Sequence, residues 1–442
     1  MDALDLLLER CRGWKSARQE AAEMALDFYR GEHLPYIGRN PEETPEEFAR
    51  RPKESLNLTR LVIDILSGLY GAPPVRKVAG NPELAARLER AWRENAMDAL
   101  MLNVDRLVRL VGLVAVRPFY EEPGGALRYW PYTADQLEAV GDPERPWKAS
   151  ALAVRWNELG ARGRSCRRAH LWTDAKFLEL RDGAAVVEGE NPYGEIPFAI
   201  FRDALPALGG GFFPPGRGPE LAESNAVLDM RLSDDLYTLK MQGFGVAEVI
   251  NPAPDEPLVL SPGRGVRFEG RAELPMGLSF KSTNAPLAEL SADIRERVAR
   301  ILLAHRIPES AVSVSLSPGA SGIAIRAAHT PIDVDRSERR ALFAPAEADL
   351  ARLSARVLCA HQPAAGFDAP AEFAIDYAEP AERLTEAERL ARAEFQLRQG
   401  LTTPWDLALA ADPDGFAEPG KAPREVARAR VLRNLKEMKD AG

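Results

Sequence analysis

The sequence predicts an α+β fold that is rich in helices and contains more than one domain. Three observations support this prediction. Helical periodicity runs through residues 3–116, strand patterns occupy residues 127–201, and long helical segments follow Gly218. The chain has 442 residues, of which 45% are hydrophobic and 28% charged, as expected for a folded protein. At this length we expect about two to four domains.

Apolar periodicity and capping residues define the predicted helices of the N-terminal part. Apolar side chains recur at spacings near 3.6 residues, and asparagine, glycine and proline stand where helices would begin or end. The polar stretch 33–55 contains proline and predicts a surface loop. The predicted helices are Ala3–Gly31, Asn57–Tyr70, Pro82–Asn95 and Asp98–Val116.

Short segments rich in aromatic and β-branched residues predict strands in the next part of the chain. A turn at Asp182 and Gly183 predicts a hairpin between the two strands that flank it. The glycine- and proline-rich stretch Ala207–Gly218 predicts a hinge, in which Phe212 and Phe213 are either locally buried or part of a subunit interface. The predicted strands are Leu127–Trp130, Ala151–Trp156, Ser165–Trp172, Phe177–Leu180, Ala184–Glu188 and Ile196–Phe201.

Two helices flank an insert that glycine and proline interrupt. The helices are predicted at Pro219–Gln242 and Leu287–His305, and the insert between them is expected to form short strands. Because the second helix has a single apolar stripe, we expect the two helices to pack on each other or on other copies of the chain. The following loop, Ser310–Gly322, contains no His, Cys, Asp, Lys or Arg, so its expected role is mechanical or steric.

A long helix is predicted to begin at Gly322 and to reach His361, with Pro331 kinking or breaking it near residue 330. Pro345 is a second candidate kink. The rest of the chain predicts a strand and three helices, the last of them basic: Phe373–Tyr377, Thr385–Gln399, a short helix from Thr403, and Lys421–Asp440.

Composition limits the classes of function. The formal net charge of −9 argues against a protein whose whole surface binds DNA. No apolar run reaches the roughly 18 residues of a membrane span, and the acidic start of the chain argues against a signal peptide. The three cysteines are too far apart to indicate a disulfide framework or a zinc site, which favours synthesis in a reducing compartment.

No catalytic template fits the sequence. The nearest match to a phosphate-binding loop, Gly415–Ala422, lacks the Ser or Thr that would hold Mg²⁺. The five histidines are scattered, and neither a Gly-x-Ser-x-Gly elbow nor a His-Glu-x-x-His motif occurs. We therefore predict no enzymatic activity, no cofactor and no metal. The alternatives are an unrelated structural or scaffold oligomer and a metal-dependent hydrolase.

Five parts of the chain share their order and spacing with a known family. They are Phe28–His33 (FYRGEH), Asn57–Asp64 (NLTRLVID) followed by Gly68–Gly71 and Pro73–Val75, Gly194–Phe198 (GEIPF), Ser321–Arg326 (SGIAIR) and Gln399–Thr402 (QGLT). Together they resemble the portal proteins of tailed bacteriophages, also called head-to-tail connectors or portal vertex proteins. The resemblance covers most of the chain.

The resemblance implies a ring of about a dozen copies at one capsid vertex. Double-stranded DNA would pass through the ring during packaging and ejection, while a separate motor hydrolyses ATP. The implied partners are other copies of the chain, double-stranded DNA, the terminase large subunit, the major capsid and scaffolding proteins and the head–tail adaptor, with no membrane. The protein would assemble in the host cytoplasm and reside in the virion.

The resemblance also divides the α+β fold into named parts. These are an N-terminal α+β wing (1–217), a stem helix (218–243), a small β-rich clip (244–286), a second stem helix (287–305), a tunnel loop (306–321), a long kinked helix that returns to the wing (322–380) and a helical C-terminal crown (381–442).

The candidate site residues under this resemblance fall into three groups. Small uncharged side chains in the tunnel loop would approach DNA without binding phosphate tightly, and acidic groups on the stem would repel it. The groups are Arg306, Val312, Ser313, Val314, Ser315, Leu316, Ser317, Gly319 and Ser321 in the tunnel loop; Asp229, Arg231, Asp234, Asp235 and Lys240 on the channel face of the stem; and Val246, Glu248, Arg264, Arg267 and Lys281 in the clip, where terminase and adaptor would dock.

Simpler explanations exist for several of these residues. Arg231 and Lys240 are candidates for transient phosphate contact, but ordinary ion pairs between helices would also account for them. The tunnel loop would equally suit a disordered surface loop. The basic cluster Arg162–Arg168 is either a solvated turn or a contact with DNA or a capsid neighbour.

Overall fold

The computed structural model of this protein describes residues 2–13, 15–159, 165–206, 211–244, 246–250, 277–281, 287–308, 322–367, 369–377, 386–412, 414–416 and 421–440. The chain divides into two compact units, unit 1 (1–313 and 331–378) and unit 2 (314–330 and 379–442). Helices make up 53% of the structure and strands 20%, so the predicted α+β class is confirmed.

The helices, numbered in chain order, are α1 (Ala3–Arg12), α2 (Ala17–Arg30), α3 (Pro45–Arg50), α4 (Leu58–Leu66), α5 (Pro82–Glu94), α6 (Met97–Val111), α7 (Gly218–Phe244), α8 (Leu287–Ala304), α9 (Gly322–His361), α10 (Glu386–Arg398), α11 (Pro404–Ala411) and α12 (Pro423–Asp440). The strands are β1 (Val75–Ala79), β2 (Leu113–Glu121), β3 (Ala126–Thr133), β4 (Leu137–Gly141), β5 (Ala149–Leu159), β6 (Ser165–Trp172), β7 (Lys176–Arg181), β8 (Ala184–Glu190), β9 (Ala199–Arg202), β10 (Val246–Ile250), β11 (Gly277–Lys281) and β12 (Glu372–Asp376).

The first predicted helix is two helices, so the single helix Ala3–Gly31 is wrong. Gly13 ends α1 in an extended conformation, and Ser16 precedes the first residue of α2. The Ser16 backbone N–H donates to the Gln19 side-chain carbonyl at 3.0 Å, as in a capping box. Apolar periodicity continues across the break because α1 and α2 both bury one face, so periodicity alone did not reveal it.

The fourth predicted helix ends earlier than expected. Helix α6 stops at Val111, and Gly112 follows with a φ of 83°. The residues from Leu113 onward form β2, the central strand of a three-stranded sheet in the order β3-β2-β9. A strand buried on both faces shows the same continuous apolar run as a buried helix, which is why the extension of the helix to Val116 is wrong.

The strands form antiparallel pairs throughout the described residues. The largest sheet has five strands in the order β4-β5-β6-β7-β8. The predicted hairpin between β7 and β8 is confirmed, with Asp182 and Gly183 at positive φ values of 48° and 84°. Strands β1, β2 and β4 were not predicted, and β1 pairs with the distant β12.

The main core of unit 1 lies between helices α2, α4, α6, α7 and α9 and the three-stranded sheet. Each of these helices contributes a side chain that is almost completely buried: Phe28, Ile63, Met101, Leu228 and Phe343. Burial of large apolar side chains is the main stabilising contribution here. Helix α7 is therefore part of the core at its beginning and is not a separate appendage.

The stretch 33–55 is more than the surface loop that its polarity predicts. It contains a short 3-10 helix at Leu34–Tyr36 and helix α3. Three of its side chains, those of His33, Ile37 and Arg51, are buried. Polar composition was misleading because two of the buried side chains are themselves polar and have partners within the fold.

Helix α9 runs through both of its prolines. Of the two outcomes predicted at Pro331, a kink or a break, the break is therefore wrong. From Asp335 onward, the helix carries a row of buried residues into unit 1, including Phe343, Leu350 and Val357. Tertiary packing of this kind overrides the local preference of proline for a helix end.

Residues 216–218 of the glycine- and proline-rich segment pack tightly against the end of α6, which corrects the predicted hinge at these positions, whereas residues 207–210 lie outside the described residues. The Arg217 backbone N–H donates to the Arg109 carbonyl oxygen at 3.1 Å. A Cβ atom added to Gly216 would lie 2.4 Å from the Leu110 carbonyl oxygen. Phe212 is only 5% exposed, which supports local burial rather than a subunit interface for this ring.

Unit 2 contains helices α10, α11 and α12, in line with the helical segments predicted there. Thr403 caps α11 by accepting a hydrogen bond from the Asp406 backbone N–H at 3.3 Å. Arg424 of α12 pairs with the Asp406 carboxylate at 2.8 Å. Thr385, predicted to cap α10, lies outside the described residues.

The close approach at Gly216 predicts a large cost for any side chain there. Because the clashing atom belongs to the backbone, Gly216→Ala should lower the free energy of unfolding by about 2 kcal/mol. Urea unfolding followed by circular dichroism measures this. Gly38→Ala is the matched control, since a Cβ at Gly38 meets no atom within 4 Å. Equal midpoints for the two variants would contradict the tight packing described here.

Candidate functional site

One face of α7 carries a buried polar stripe. Asn225, Asp229 and Ser233 lie four residues apart and are each at most 1% exposed. This spacing puts the three side chains on the same side of the helix. Buried polar groups are costly unless they are hydrogen-bonded, so the stripe requires partners along its length.

Residues 54–59, which lead into the first turn of α4, supply those partners through their backbone. The Glu54 N–H donates to Ser233 Oγ at 3.1 Å, and the Leu56 N–H donates to Asp229 Oδ1 at 2.9 Å. Asn225 Nδ2 donates to the Leu56 carbonyl oxygen at 2.9 Å, while its Oδ1 accepts from the Thr59 N–H at 2.9 Å. These bonds set the position of α7 along this segment, because a shift by one turn would leave buried groups unpaired.

His33 completes the attachment of α7. Its Nδ1 lies 2.6 Å from Asp229 Oδ2, and its Nε2 lies 3.0 Å from the Phe28 carbonyl oxygen. Because a carbonyl oxygen only accepts, Nε2 carries a proton. A second proton lies between Nδ1 and Oδ2, since an unprotonated nitrogen and an ionised carboxylate would repel each other. Burial raises the pKa of the Asp229 carboxyl group.

The residues of the first two family-like segments meet at this attachment. His33 and Phe28 are in contact, with ring centroids 4.6 Å apart. Gly31 ends α2 in a left-handed conformation, with a φ of 90°, which lets the chain turn toward α7. Asn57 caps α4 by accepting from the Arg60 N–H at 2.8 Å. Two of the segments that resemble the family thus contribute to holding α7, through His33 and Thr59.

A second buried cluster joins α6, the end of β9 and α9. Arg109 lies 2.9 Å from Asp203 and also pairs with Asp335. Arg339, one turn beyond Asp335, pairs with Asp105 at 2.5 Å. All five of these side chains are at most 10% exposed.

Arg217 extends this charged cluster to the start of α7. Its guanidinium lies 3.0 Å from Asp335 and 3.7 Å from Asp203. The side chain is 26% exposed, so it forms the outer boundary of the cluster. Because Arg217 immediately precedes α7, the cluster holds the first residues of the helix while the polar stripe holds its middle.

The structure separates the residues predicted for the channel face of the stem. Asp229 is completely buried and both of its oxygens are occupied by His33 and Leu56, so its placement in the channel is corrected. Arg231 and Lys240 are exposed. Asp234 is partly exposed and lies 3.3 Å from Arg51.

Asp235 is partly exposed on the same helix. Burial, together with the carboxylates of Asp234 and Asp293, raises the pKa of its carboxyl group. Asp293 belongs to α8, so the acidic groups of the two helices are near each other. The acidic character predicted for the stem is thus present beyond the buried stripe.

Arg306 is held in an unusual backbone conformation. Helix α8 ends with Ile307 N–H donating to the Leu302 carbonyl oxygen at 2.9 Å and Arg306 N–H donating to Leu303 at 2.9 Å. In this arrangement the residue at the position of Arg306 has a positive φ, here 61°, and glycine is the usual occupant. Leu302 and Ile307 are buried, whereas the Arg306 side chain is exposed.

The other candidate residues of the tunnel loop lie outside the described residues: Val312, Ser313, Val314, Ser315, Leu316, Ser317, Gly319 and Ser321. Arg264 and Arg267 of the clip also lie outside them. Val246 and Glu248 belong to β10 and Lys281 to β11, and the two strands pair antiparallel with Val246 opposite Lys281. The structure therefore places the two ends of the insert side by side.

The basic cluster predicted at Arg162–Arg168 is described only from residue 165. Arg168 is paired with Glu158 at 2.7 Å and also with Glu179. Arg167 is exposed and has no ion-pair partner within the described residues. Within the same described part of the chain, no group of three or more His, Cys, Asp or Glu side chains is placed to hold a metal ion, and no helix is long and apolar enough to cross a membrane.

Sequence reasoning missed the residues that hold α7 in place. His33 was noted only as part of a family-like segment, and Asn225 and Ser233 were not singled out. A polar residue at every fourth position of an otherwise apolar helix face is the signal that could have found them. Arg109 and Asp335 have no comparable signal, because the two lie far apart in sequence.

The chain was compared with known proteins. No family model matches it, and no curated protein matches it. Among solved structures, it is similar to a chain of the "Virion of native gene transfer agent (GTA) particle", with 14% identity and a TM-score of 0.43, over 84% of this chain and 94% of that chain.

Two further similar chains come from the neck of such particles. One belongs to the "Neck of empty GTA particle computed with C6 symmetry", with 14% identity, a TM-score of 0.45 and 85% and 96% of the two chains covered. The other belongs to the "Neck of native GTA particle computed with C12 symmetry", with 13% identity, a TM-score of 0.44 and the same coverage. The function proposed below rests on the chain's own residues.

The attachment of α7 predicts how substitutions at Asp229 act. Asp229→Ala removes the partner of His33 and of the Leu56 N–H, and should lower the free energy of unfolding by about 3 kcal/mol. Asp229→Asn can still accept a hydrogen bond from the Leu56 N–H and donate one to His33. It should therefore lower the free energy of unfolding much less than Asp229→Ala does. Urea unfolding measures the free energy of unfolding of both variants. Hydrogen exchange at the Leu56 amide reports the loss of its hydrogen bond to residue 229.

Glu223→Ala is the control for helix propensity and charge, because Glu223 is exposed on the same helix. It should change stability by no more than about 0.5 kcal/mol. If Asp229→Ala behaved like Glu223→Ala, the polar stripe would not be what holds α7.

Proposed function

We propose that this chain is a portal-type subunit of a phage-like particle. It forms a closed ring of about a dozen copies at one capsid vertex, and double-stranded DNA passes through the ring during packaging and ejection. The protein resides in the virion after assembly in the host cytoplasm. It acts as a channel and a docking platform, and the energy for DNA movement comes from a separate motor.

The observation that carries this proposal is the way α7 is built into the fold. Its first half is buried in unit 1 and held by the polar stripe and by Arg217. After Ser233, the side chains described on α7 are only partly buried or exposed, and α8 packs alongside. A helix pair anchored at one end and joined at the other by a paired insert suits a stem that ends in a clip.

The family-like segments support the same proposal from a different direction. Phe28–His33 and Asn57–Asp64, which resemble portal proteins, each supply a contact to α7, through His33 with Asp229 and through Thr59 with Asn225. A resemblance that falls on the attachment of the stem is more informative than one on scattered surface residues. The five segments also keep their order along the chain.

The exposed charges of the stem suit a channel that lets DNA slide. Asp234 and Asp235 would repel phosphates, while Arg231 and Lys240 would make brief contacts with them. At the far end, the clip would dock the terminase large subunit and later the head–tail adaptor. The residues predicted for this docking are Val246, Glu248, Arg264, Arg267 and Lys281. The wing would contact the major capsid and scaffolding proteins.

A ring requires two different faces on each subunit, and the stem helices offer exposed apolar groups for them. Val227 and Leu239 of α7 are 51% and 52% exposed, and Leu303 of α8 is 75% exposed. Exposed leucines on two neighbouring helices are costly in a monomer and become buried when copies meet. The boundaries of wing, stem, clip, tunnel loop, long helix and crown remain those predicted from the sequence.

The ring is tested by native mass spectrometry and top-view negative-stain electron microscopy of the purified chain. We expect rings with a central hole and a mass of about twelve subunits. Leu303→Glu should shift the population toward monomers, because it places a charge in a subunit interface. Leu159→Glu, at an 81% exposed wing position, should leave rings intact.

Monodisperse monomers at high concentration, with the scaffolding protein present, would contradict the portal proposal. An unrelated structural oligomer would instead give a stable assembly without a central channel. A metal-dependent hydrolase would show activity that depends on an added divalent ion.

Arg306 provides a second test, directed at the channel. Its left-handed backbone is unfavourable for any residue with a side chain, so Arg306→Gly should raise the free energy of unfolding by about 1 kcal/mol. If the guanidinium contacts phosphate, the same change should weaken binding of a short DNA duplex to assembled rings. Fluorescence anisotropy at several salt concentrations measures this binding.

Arg306→Lys is the matched variant, because it keeps both the charge and the strained backbone. It should retain most of the duplex binding and should gain no stability. A glycine variant that is more stable but binds DNA normally would show that Arg306 has no role in the channel.

A further inference from the structure

Helix α1 covers only part of one face of the five-stranded sheet. Beneath it lie Ala153 and Leu171, which form a small apolar cluster with Leu4 and Leu7 of the helix. Helix α1 ends at Arg12, but the same face of the sheet continues beyond it. An open groove of about 700 Å³ lies there, between the end of α1, the start of α2 and the sheet.

The strand register shows which side chains follow the apolar cluster on this face. Arg155 of β5 is opposite Ala169 of β6, and Asn157 is opposite Arg167. Since side chains alternate along a strand, Arg155, Asn157 and Arg167 continue the face that carries Ala153 and Leu171. The face therefore changes from apolar to cationic at the point where α1 stops.

The floor of the groove is uncharged. It is formed by Cys11, Ala169 and Leu180, and the last two are at most 5% exposed. Burial raises the pKa of the Cys11 thiol to about 12, so the thiol is neutral at physiological pH. An apolar side chain of a ligand would find a matching surface on this floor.

The groove contains positive charges that the described part of the chain leaves without a carboxylate. Arg12 and Arg167 are exposed, and neither has an ion-pair partner among the described residues. Arg155 differs from these two residues, because it donates to the Gln19 side-chain carbonyl and is paired with Glu138 at 3.8 Å.

Acidic residues also line the groove. Glu20, Glu23 and Asp135 line it, and Lys15 is already paired with Glu23 at 2.6 Å. These carboxylates would repel the closely spaced phosphates of a nucleic acid. A polypeptide, by contrast, can present an acidic group to one wall, an apolar side chain to the floor and its backbone amides to the exposed Asn157.

We propose that this groove binds a peptide segment of a partner protein that carries carboxylate and apolar side chains. A carboxylate of the segment lies between Arg12 and Arg167, where guanidinium groups form two charge-assisted hydrogen bonds with it. An apolar side chain of the segment rests against Cys11, which is only partly buried. This inference does not depend on the proposed ring or on its DNA channel.

Fluorescence anisotropy with the full-length protein tests the groove. The probe is a fluorescein-labelled short peptide of alternating glutamate and leucine, and we expect saturable binding. Arg12→Glu with Arg167→Glu should weaken this binding by at least about tenfold. Asn157→Trp should also weaken it, because it fills the groove without changing its charge, and both sets of substitutions lie at exposed positions.

Arg90→Glu with Arg93→Glu is the matched control. Both residues are exposed on α5, and the control makes the same change of formal charge as the groove variant. Equal weakening in the two double variants would overturn the proposal, since it would reflect net charge alone. Equal affinity for a lysine–leucine peptide, tighter binding of a short DNA duplex that the groove variant abolishes, or no peptide binding at all would overturn it as well.

Discussion

The pairing of buried charges around Arg109 is the constraint on which the rest of unit 1 depends. Its guanidinium contacts Asp203 and Asp335, and Arg339 pairs with Asp105 beside them. A buried charge without its partner costs several kcal/mol, so these groups stabilise only one relative position of α6, β9 and α9. Apolar contacts alone would allow α6 and α9 to slide past each other by one helical turn, whereas paired buried charges do not. The close packing of Gly216 on the end of α6 is consistent with this fixed arrangement.

Directional contacts between buried polar groups also fix the position of α7. Arg217 connects the cluster to the first residue of the helix, and the polar stripe then fixes its middle against a backbone segment. The result is a helix that directional contacts position from its start to Asp234, whereas the side chains described beyond it, as far as Lys240, are partly buried or exposed. A subunit that must hold a stem at a fixed angle within a ring benefits from this division. In the proposed ring, the fixed part of α7 would set the geometry, and the exposed part would contact neighbouring copies and DNA.

Charge is distributed unevenly over the molecule. Many carboxylates are used internally, as Asp229 and Asp335 show, so the net charge of −9 says little about any one surface. Accessible acidic groups occur on α7 and α8 as well as elsewhere on the surface, whereas Arg12 and Arg167 lie at one groove on the five-stranded sheet. Different parts of one chain are thus suited to repelling phosphates and to binding a peptide carboxylate.

The sequence by itself determined the class of the fold, most helices and strands, the β7–β8 hairpin and the two stem helices around a paired insert. These features follow from local periodicity and from turn residues, which act over a few neighbouring positions. Only the tertiary structure decided that Asp229 faces the core and not the channel, that α9 passes through Pro331, and that β2 is a strand. Each of these depends on contacts between residues far apart in the chain. Local patterns do not record such contacts, and burial of paired polar groups outweighs local preference.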